Sequence, residues 1–252
     1  MAGVDASVPG TRRARSAAVP IVALDYPDSL SALRLVSQLG ESCRFYKVGS
    51  ELFTASGPSV VEAIRREGCD VFLDLKLHDI PNTVAGAMRR IRGMGVRLAT
   101  VHASGGRAMI EAAVQAAGSE CGVLAVTVLT SLDSRALGEV VGAESADVAA
   151  SVLRLAALAS ASGARGVVCS GEEARLVRAR LGSSLELLVP GVRLPGDAPG
   201  DQSRIVTPEA AAAAGADYLV LGRTVTAAAD PEAAMRAVLE QLSVEKRLRT
   251  AE

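Results

Sequence analysis

Eight short runs rich in β-branched and aliphatic residues recur between Pro20 and Arg223, separated by stretches with helical spacing, and this recurrence constrains the fold more than any other feature. The runs are Pro20–Asp25, Arg44–Gly49, the segment around Val71–Leu73, Leu98–His102, Gly122–Ser131, Gly166–Ser170, Leu187–Arg193 and Asp217–Arg223. Several are continuously apolar instead of alternating, as expected of strands buried on both faces of a parallel sheet. Between them, amphipathic or alanine-rich spacing predicts helices over Leu30–Leu39, Ser59–Arg66, Gly106–Ala117, Ser145–Ser162 and Gly171–Leu181, with one more opened by Thr207-Pro208-Glu209. Asp28 or Ser29 caps the first helix, and a short loop is expected after Gly49. With no linker-like break, the pattern predicts an α/β chain folded as a single (β/α)8 barrel over 19–245. Residues 1–18 are expected to be a mobile extension and 246–252 a C-terminal tail. The competing arrangement, a doubly wound sheet, leaves unexplained why polar residues recur at the C-terminal ends of strands one, two, three, five, seven and eight.

Composition removes several classes of function. With 49% hydrophobic and 22% charged residues, the 252-residue chain reads as soluble and globular, with a sizeable core. A net charge of -1 and 2% aromatic residues supply neither the basic field nor the stacking groups of a nucleic-acid binder. Cys43, Cys69, Cys121 and Cys169 are widely spaced without a C-x-x-C pair, so no zinc or redox motif is expected and a reducing cytoplasm is the default. Arg12, Arg13 and Arg15 precede no apolar leader core, and no run reaches the length of a membrane span.

The third strand carries the densest chemistry, Asp74-Leu75-Lys76-Leu77-His78-Asp79-Ile80-Pro81-Asn82-Thr83. In an extended strand Asp74 and Lys76 share one face, while Val71, Leu73, Leu75 and Leu77 share the other. Asp79 falls just past the strand, and Pro81 suits the first turn of a helix because that position needs no N–H donor. Only three of the 27 basic residues are lysine, and Lys47 and Lys76 both stand at strand ends. An ammonium shifts its pKa and donates a proton where a guanidinium stays charged, which favours chemistry at these two. In a barrel the strand C-termini converge, so Asp25, Lys47, Asp74, Lys76, Thr130, Ser131, Arg193 and Arg223 are expected to meet. So many polar groups drawn out of water imply mutual pairing or a ligand.

On these residues the chain resembles the orotidine 5′-phosphate decarboxylase family from Pro20 to about Leu242. The Asp-x-Lys-x-x-Asp core is the family's signature, and Asp25, Lys47-Val48-Gly49, Leu129-Thr130-Ser131, Pro190-Gly191-Val192-Arg193, Gly200-Asp201-Gln202 and Gly222-Arg223 agree in order and spacing. The resemblance implies conversion of orotidine 5′-monophosphate to uridine 5′-monophosphate and carbon dioxide, in de novo pyrimidine biosynthesis, without metal or organic cofactor. It implies that Lys76 stabilises and protonates a ring carbanion. Asp74 then crowds the departing carboxylate and, with Lys47 and Asp79, holds Lys76. Asp25 and Lys47 are assigned to the ribose hydroxyls, and Thr130 and Ser131 to pyrimidine or ribose. The phosphate grip falls to Pro190, Arg193, Gln202, Gly222 and Arg223, under a lid containing Pro195, Gly196, Pro199 and Gly200. The resemblance also implies a homodimer in which Asp79, Ile80 and Thr83 reach the neighbouring site. His102 suits either a supporting place behind the charges or the core, and His78 is expected to be exposed or structural.

The rival on the same barrel is a metal-dependent sugar-phosphate decarboxylase or aldolase sharing the Asp-x-Lys-x-x-Asp core. It needs a metal-binding acid near strand two, where this chain has Lys47. A barrel that only binds nucleotides is the non-enzymatic alternative, opposed by the complete set of charges.

Overall fold

A computed structural model describes residues 18–197 and 205–250, with side chains up to Ser243. Eight strands form a closed barrel in sequential order, all pairs parallel. They are β1 Val19–Ala23, β2 Phe45–Gly49, β3 Asp70–Leu77, β4 Leu98–His102, β5 Gly122–Val126, β6 Gly166–Val168, β7 Glu186–Val192 and β8 Tyr218–Leu221. Helices pack outside the strands, so each strand is covered on both faces, which is why the runs are apolar without alternation.

Local signals set most helix starts. Asp28, Asp133, Asp147, Ser170 and Thr207 each accept a backbone N–H from the first turn of their helix, and Ser170 with Glu173 completes a capping box. The expected helices at Gly106–Ala117 and Gly171–Leu181 stand with those bounds. The alanine-rich one is shorter than expected, Val148–Ala161, because Asp147 caps it. Four helices had no counterpart among those expected, one of them the short Arg223–Thr226 after β8. Ser50–Ser56 replaces the loop expected after Gly49, and Ser134–Val141 follows β5. The final helix, Pro231–Thr250, runs across the boundary expected at 245.

Two layers of apolar side chains hold the barrel. Its interior is filled by Ile21, Phe45, Phe72, Leu98, Leu124, Leu188 and Tyr218, all under 5% exposed. Each such side chain stabilises the fold by about 1.5–3 kcal/mol on full burial. A larger layer lies between strands and helices. The N-terminal mouth is closed by Phe45 edge-on to Tyr218, with ring centroids 6.1 Å apart. Around them Arg97 pairs with Asp70 at 2.5 Å, and Arg165 grips Glu186 through two bonds of 2.7 and 3.1 Å. No described helix is long and apolar enough to cross a membrane.

Two irregularities interrupt the ladder, both toward the C-terminal mouth. Leu73 aligns with Ala99 but Leu77 with Val101, so β3 carries two more residues than β4 over this span. Val189 aligns with Leu219 but Val192 with Leu221, so β7 bulges at Pro190-Gly191. Gly191 supplies a φ of 72° there, and Pro190, which lacks an N–H, fits where the ladder is broken.

Candidate active site

The C-terminal mouth opens into a cavity of about 490 Å³. Asp25, Lys47, Asp74, Lys76, Thr130, Pro190, Arg193, Gly222 and Arg223 line it, together with an apolar wall that includes Phe72, Val126 and Leu188. Inward-facing positions explain the arrangement. Ile21 and Phe45 fill the barrel, so Asp25 and Lys47, an even number of residues further along, also face the axis.

The charges form two pairs. Lys47 Nζ donates to Asp25 Oδ1 at 2.7 Å, with the lysine side chain 10% exposed and the aspartate 58%. Lys76 Nζ donates to Asp74 Oδ2 at 2.8 Å, with exposures of 37% and 12%. Lys47, expected to help hold Lys76, pairs in this chain with Asp25, its ammonium turned to the β1 side of β2. A Cβ added at Gly49 would lie 2.9 Å from Lys47 Nζ and 3.2 Å from Asp25 Oδ1, so glycine leaves the room that this pair occupies.

Lys76 is the only non-glycine residue among those described with positive φ, 48°. For an L-residue this conformation costs about 1–2 kcal/mol. The simple two-face alternation expected for Asp74 to Leu77 therefore fails at Lys76. Both groups still reach the cavity, since the added residues of β3 re-aim the chain. Thr100 on β4, which sequence reasoning did not single out, joins them. Its Oγ1 donates to Asp74 Oδ1 at 2.8 Å and accepts the Lys76 N–H at 2.9 Å. The available signal was its place between Leu98 and His102, on the face that Leu98 turns into the barrel.

Arg193 is 5% exposed, and its Nη1 donates to the Val192 carbonyl at 2.9 Å. Its Nε has no partner among the described residues. Burial, then the neighbouring Arg223, lowers its pKa, with Asp197 opposing. A guanidinium does not shed its proton here, so the cost of burial falls on the charge, and an anion placed beside it would offset that cost. Asp197 in turn accepts from Thr224 Oγ1 at 2.7 Å and from the Leu194 N–H at 3.1 Å, fixing the turn after β7 against the short helix Arg223–Thr226 that follows β8.

Not every expected residue reaches this cavity. Ser131 is exposed and does not line it, because β5 ends at Val126 and the chain turns away through Leu129 to Ser131. Asp79, Ile80 and Thr83 are exposed and lie outside it within one chain, with Ile80 67% exposed. The Asp79 carboxylate accepts the Ile80 N–H at 2.6 Å. Gln202, Pro199 and Gly200 lie outside the described residues, as do residues 1–17.

A family model, the Orotidine 5′-phosphate decarboxylase / HUMPS family, matches residues 19–238. The chain belongs to this family. Among its relatives, an orotidine 5′-phosphate decarboxylase of Thermobifida fusca is 53% identical over 228 residues, covering 89% of this chain and 96% of the relative. One of Halorhodospira halophila is 50% identical over 240 residues, covering 94% and 98%. The crystal structure of orotidine 5′-phosphate decarboxylase from Lactobacillus acidophilus superposes with a TM-score of 0.80 at 36% identity, covering 90% of this chain and 99% of that one.

The family assignment agrees with the resemblance carried by the decapeptide and with the barrel it implied. The family's description also includes HUMPS, so the donor set matters. Among the described residues, no three or more His, Cys, Asp or Glu side chains are grouped to hold a metal. The end of β2, where the rival needs an acid, presents a lysine already paired to Asp25. His102 sits beside the pair on β3, its ring 5.3 Å from that of His78. Burial, then His78 and Lys76, lowers its pKa, with Asp74 opposing.

Proposed function

We infer that this chain decarboxylates orotidine 5′-monophosphate to uridine 5′-monophosphate and carbon dioxide in de novo pyrimidine biosynthesis. The observation that carries the inference is the Lys76–Asp74 pair, 2.8 Å apart and opening into the cavity. The bond from the ring carbon to the carboxyl carbon breaks, its electron pair stays on the ring carbon, and carbon dioxide departs. The Lys76 ammonium stabilises that pair, passes it a proton, and recovers one from solvent. Asp74, placed beside the substrate carboxylate, destabilises the bound substrate relative to the product of its loss. No metal or organic cofactor takes part.

The rest of the cavity orients the nucleotide. Arg193 and Arg223 take the phosphate, with Pro190 and Gly222 allowing close backbone approach. A Cβ at Gly222 would meet nothing within 4 Å, in keeping with open space for a ligand. Gln202 belongs to the same grip. Asp25 and Lys47 take the ribose hydroxyls, and Thr130 borders the pyrimidine and ribose. Phosphate contacts made far from the reacting carbon help to close the site and lower the barrier there.

The working enzyme is a cytoplasmic homodimer. Asp79, Ile80 and Thr83, exposed in one chain, complete the partner's site, and Asp79 then helps to hold the partner's Lys76. An exposed isoleucine at the entrance to the helix Pro81–Gly93 supports this.

Loss of orotidine 5′-monophosphate absorbance on adding the purified protein tests the activity, and unchanged absorbance over hours rejects it. EDTA should leave turnover intact, whereas its abolition would favour the metal-dependent relative. Lys76→Ala should abolish turnover while nucleotide binding persists. Mixing inactive Lys76→Ala and Asp79→Ala chains should restore part of the activity through one intact mixed site. Absence of recovery in dimers shown to have exchanged subunits would place Asp79 in its own chain's site.

A further inference from the structure

We propose that Thr100 is the positioning residue of the reaction, holding Asp74 and the Lys76 backbone together through one hydroxyl. The inference rests on the decarboxylase reading above. It starts from the broken ladder, where β3 spends four steps against two of β4, so Lys76 turns to a φ of 48° at the point of mismatch. Its N–H donates to Thr100 Oγ1 at 2.9 Å. The hydroxyl then has one proton left to give, and it goes to Asp74 Oδ1 at 2.8 Å. The other carboxylate oxygen accepts the Lys76 ammonium at 2.8 Å. Hydroxyl, carboxylate, ammonium and the lysine's own backbone thus form a closed ring of three hydrogen bonds.

Both arms of this ring end on the Asp74 carboxylate. Thr100 is 1% exposed, so water does not compete for its hydroxyl. A β-branched residue on a strand has few χ1 choices, which keeps Oγ1 in place. The neighbouring strand therefore fixes two things that β3 cannot fix alone: the rotation of the Asp74 carboxylate and the unfavourable backbone turn that aims Lys76. Thr100 acts through these two groups and is given no contact with substrate.

Thr100→Val tests this, because it removes the hydroxyl and keeps the shape. The expected result is a kcat lower by roughly tenfold to a hundredfold, the range for small misplacement of reacting groups, with KM changed by less than about threefold. Thr100→Ser, which restores a donor and acceptor, should recover most of that kcat. Wild-type kcat in folded Thr100→Val overturns the proposal, as does a kcat loss that Thr100→Ser fails to recover. If Thr100→Val does not fold, Thr100→Cys serves in its place, since a thiol donates and accepts only weakly. An intermediate kcat then supports the proposal and an unchanged one overturns it. The wild-type protein is the control for the underlying reading. Wild-type turnover beside an unaffected Thr100→Val removes this inference alone, whereas an inert wild type removes the decarboxylase reading and this inference with it.

Discussion

Lys47 on β2 and Asp25 just past the end of β1 are joined at 2.7 Å, and the lysine is the buried member while the aspartate is the exposed one. Gly49 makes room for the pair, its missing Cβ leaving space beside both charged atoms. Gly49→Ala is expected to displace the ammonium and lower kcat/KM by about a hundredfold, the scale of an ångström's misplacement in an active site. Steady-state kinetics on folded Gly49→Ala protein checks it, and an activity within threefold of wild type would show that the pair tolerates the shift.

Arg193 predicts opposite changes in stability and binding. It is a buried cation with an unsatisfied Nε among the described residues, kept beside Arg223. Arg193→Met should raise the melting temperature of the free protein, by about 1 kcal/mol of stability, since apolar replacement of a buried charge is often stabilising. The same change should raise KM by about tenfold to a hundredfold through loss of a charge-assisted bond to phosphate. Thermal unfolding and kinetics on one preparation decide both halves.

His102 links stability to mild acid. Burial, His78 and Lys76 hold its folded-state pKa below the ordinary 6.5, while Asp74 pulls the other way. The unfolded chain therefore binds a proton more readily, and stability is lost as pH falls through 6.5 toward the folded value. Melting temperatures between about pH 7.5 and 5.5 should fall less in His102→Gln than in wild type. Parallel curves for the two proteins would detach His102 from the effect.

The four cysteines are buried and none is in a disulfide. Burial raises the pKa of Cys43 and Cys69 and pushes Cys121 up to about 11, with Arg165 and, at Cys69, Arg44 opposing. At about pH 8 only about a thousandth of Cys121 is thiolate, so an aromatic disulfide reagent should react with the native protein very slowly. Denaturant should release all four thiols at once.

The barrel was legible because eight apolar runs and their polar endings carry local signals that burial and strand geometry reinforce. Asp25, Lys47, Asp74, Lys76, Arg193 and Arg223 met as expected because strand ends converge whatever the loops do. Pairing across strands was harder to read. Which carboxylate Lys47 chooses depends on space left by Gly49, and nothing in the spacing of Asp25 and Lys47 records it. Thr100 stayed hidden because its hydroxyl serves a bulge that appears only when β3 and β4 are set in register. The end of β5 was overrun because the apolar run continues to Leu129, while the strand ends at Val126 and Thr127 Oγ1 donates to the Val168 carbonyl at 2.8 Å.

The plugged lower half of the barrel makes the site a dead end. Phe45 and Tyr218, braced by Arg97–Asp70 and Arg165–Glu186, leave no rear passage beneath the reacting carbon. Gas and nucleotide must then depart through the doorway by which the substrate came.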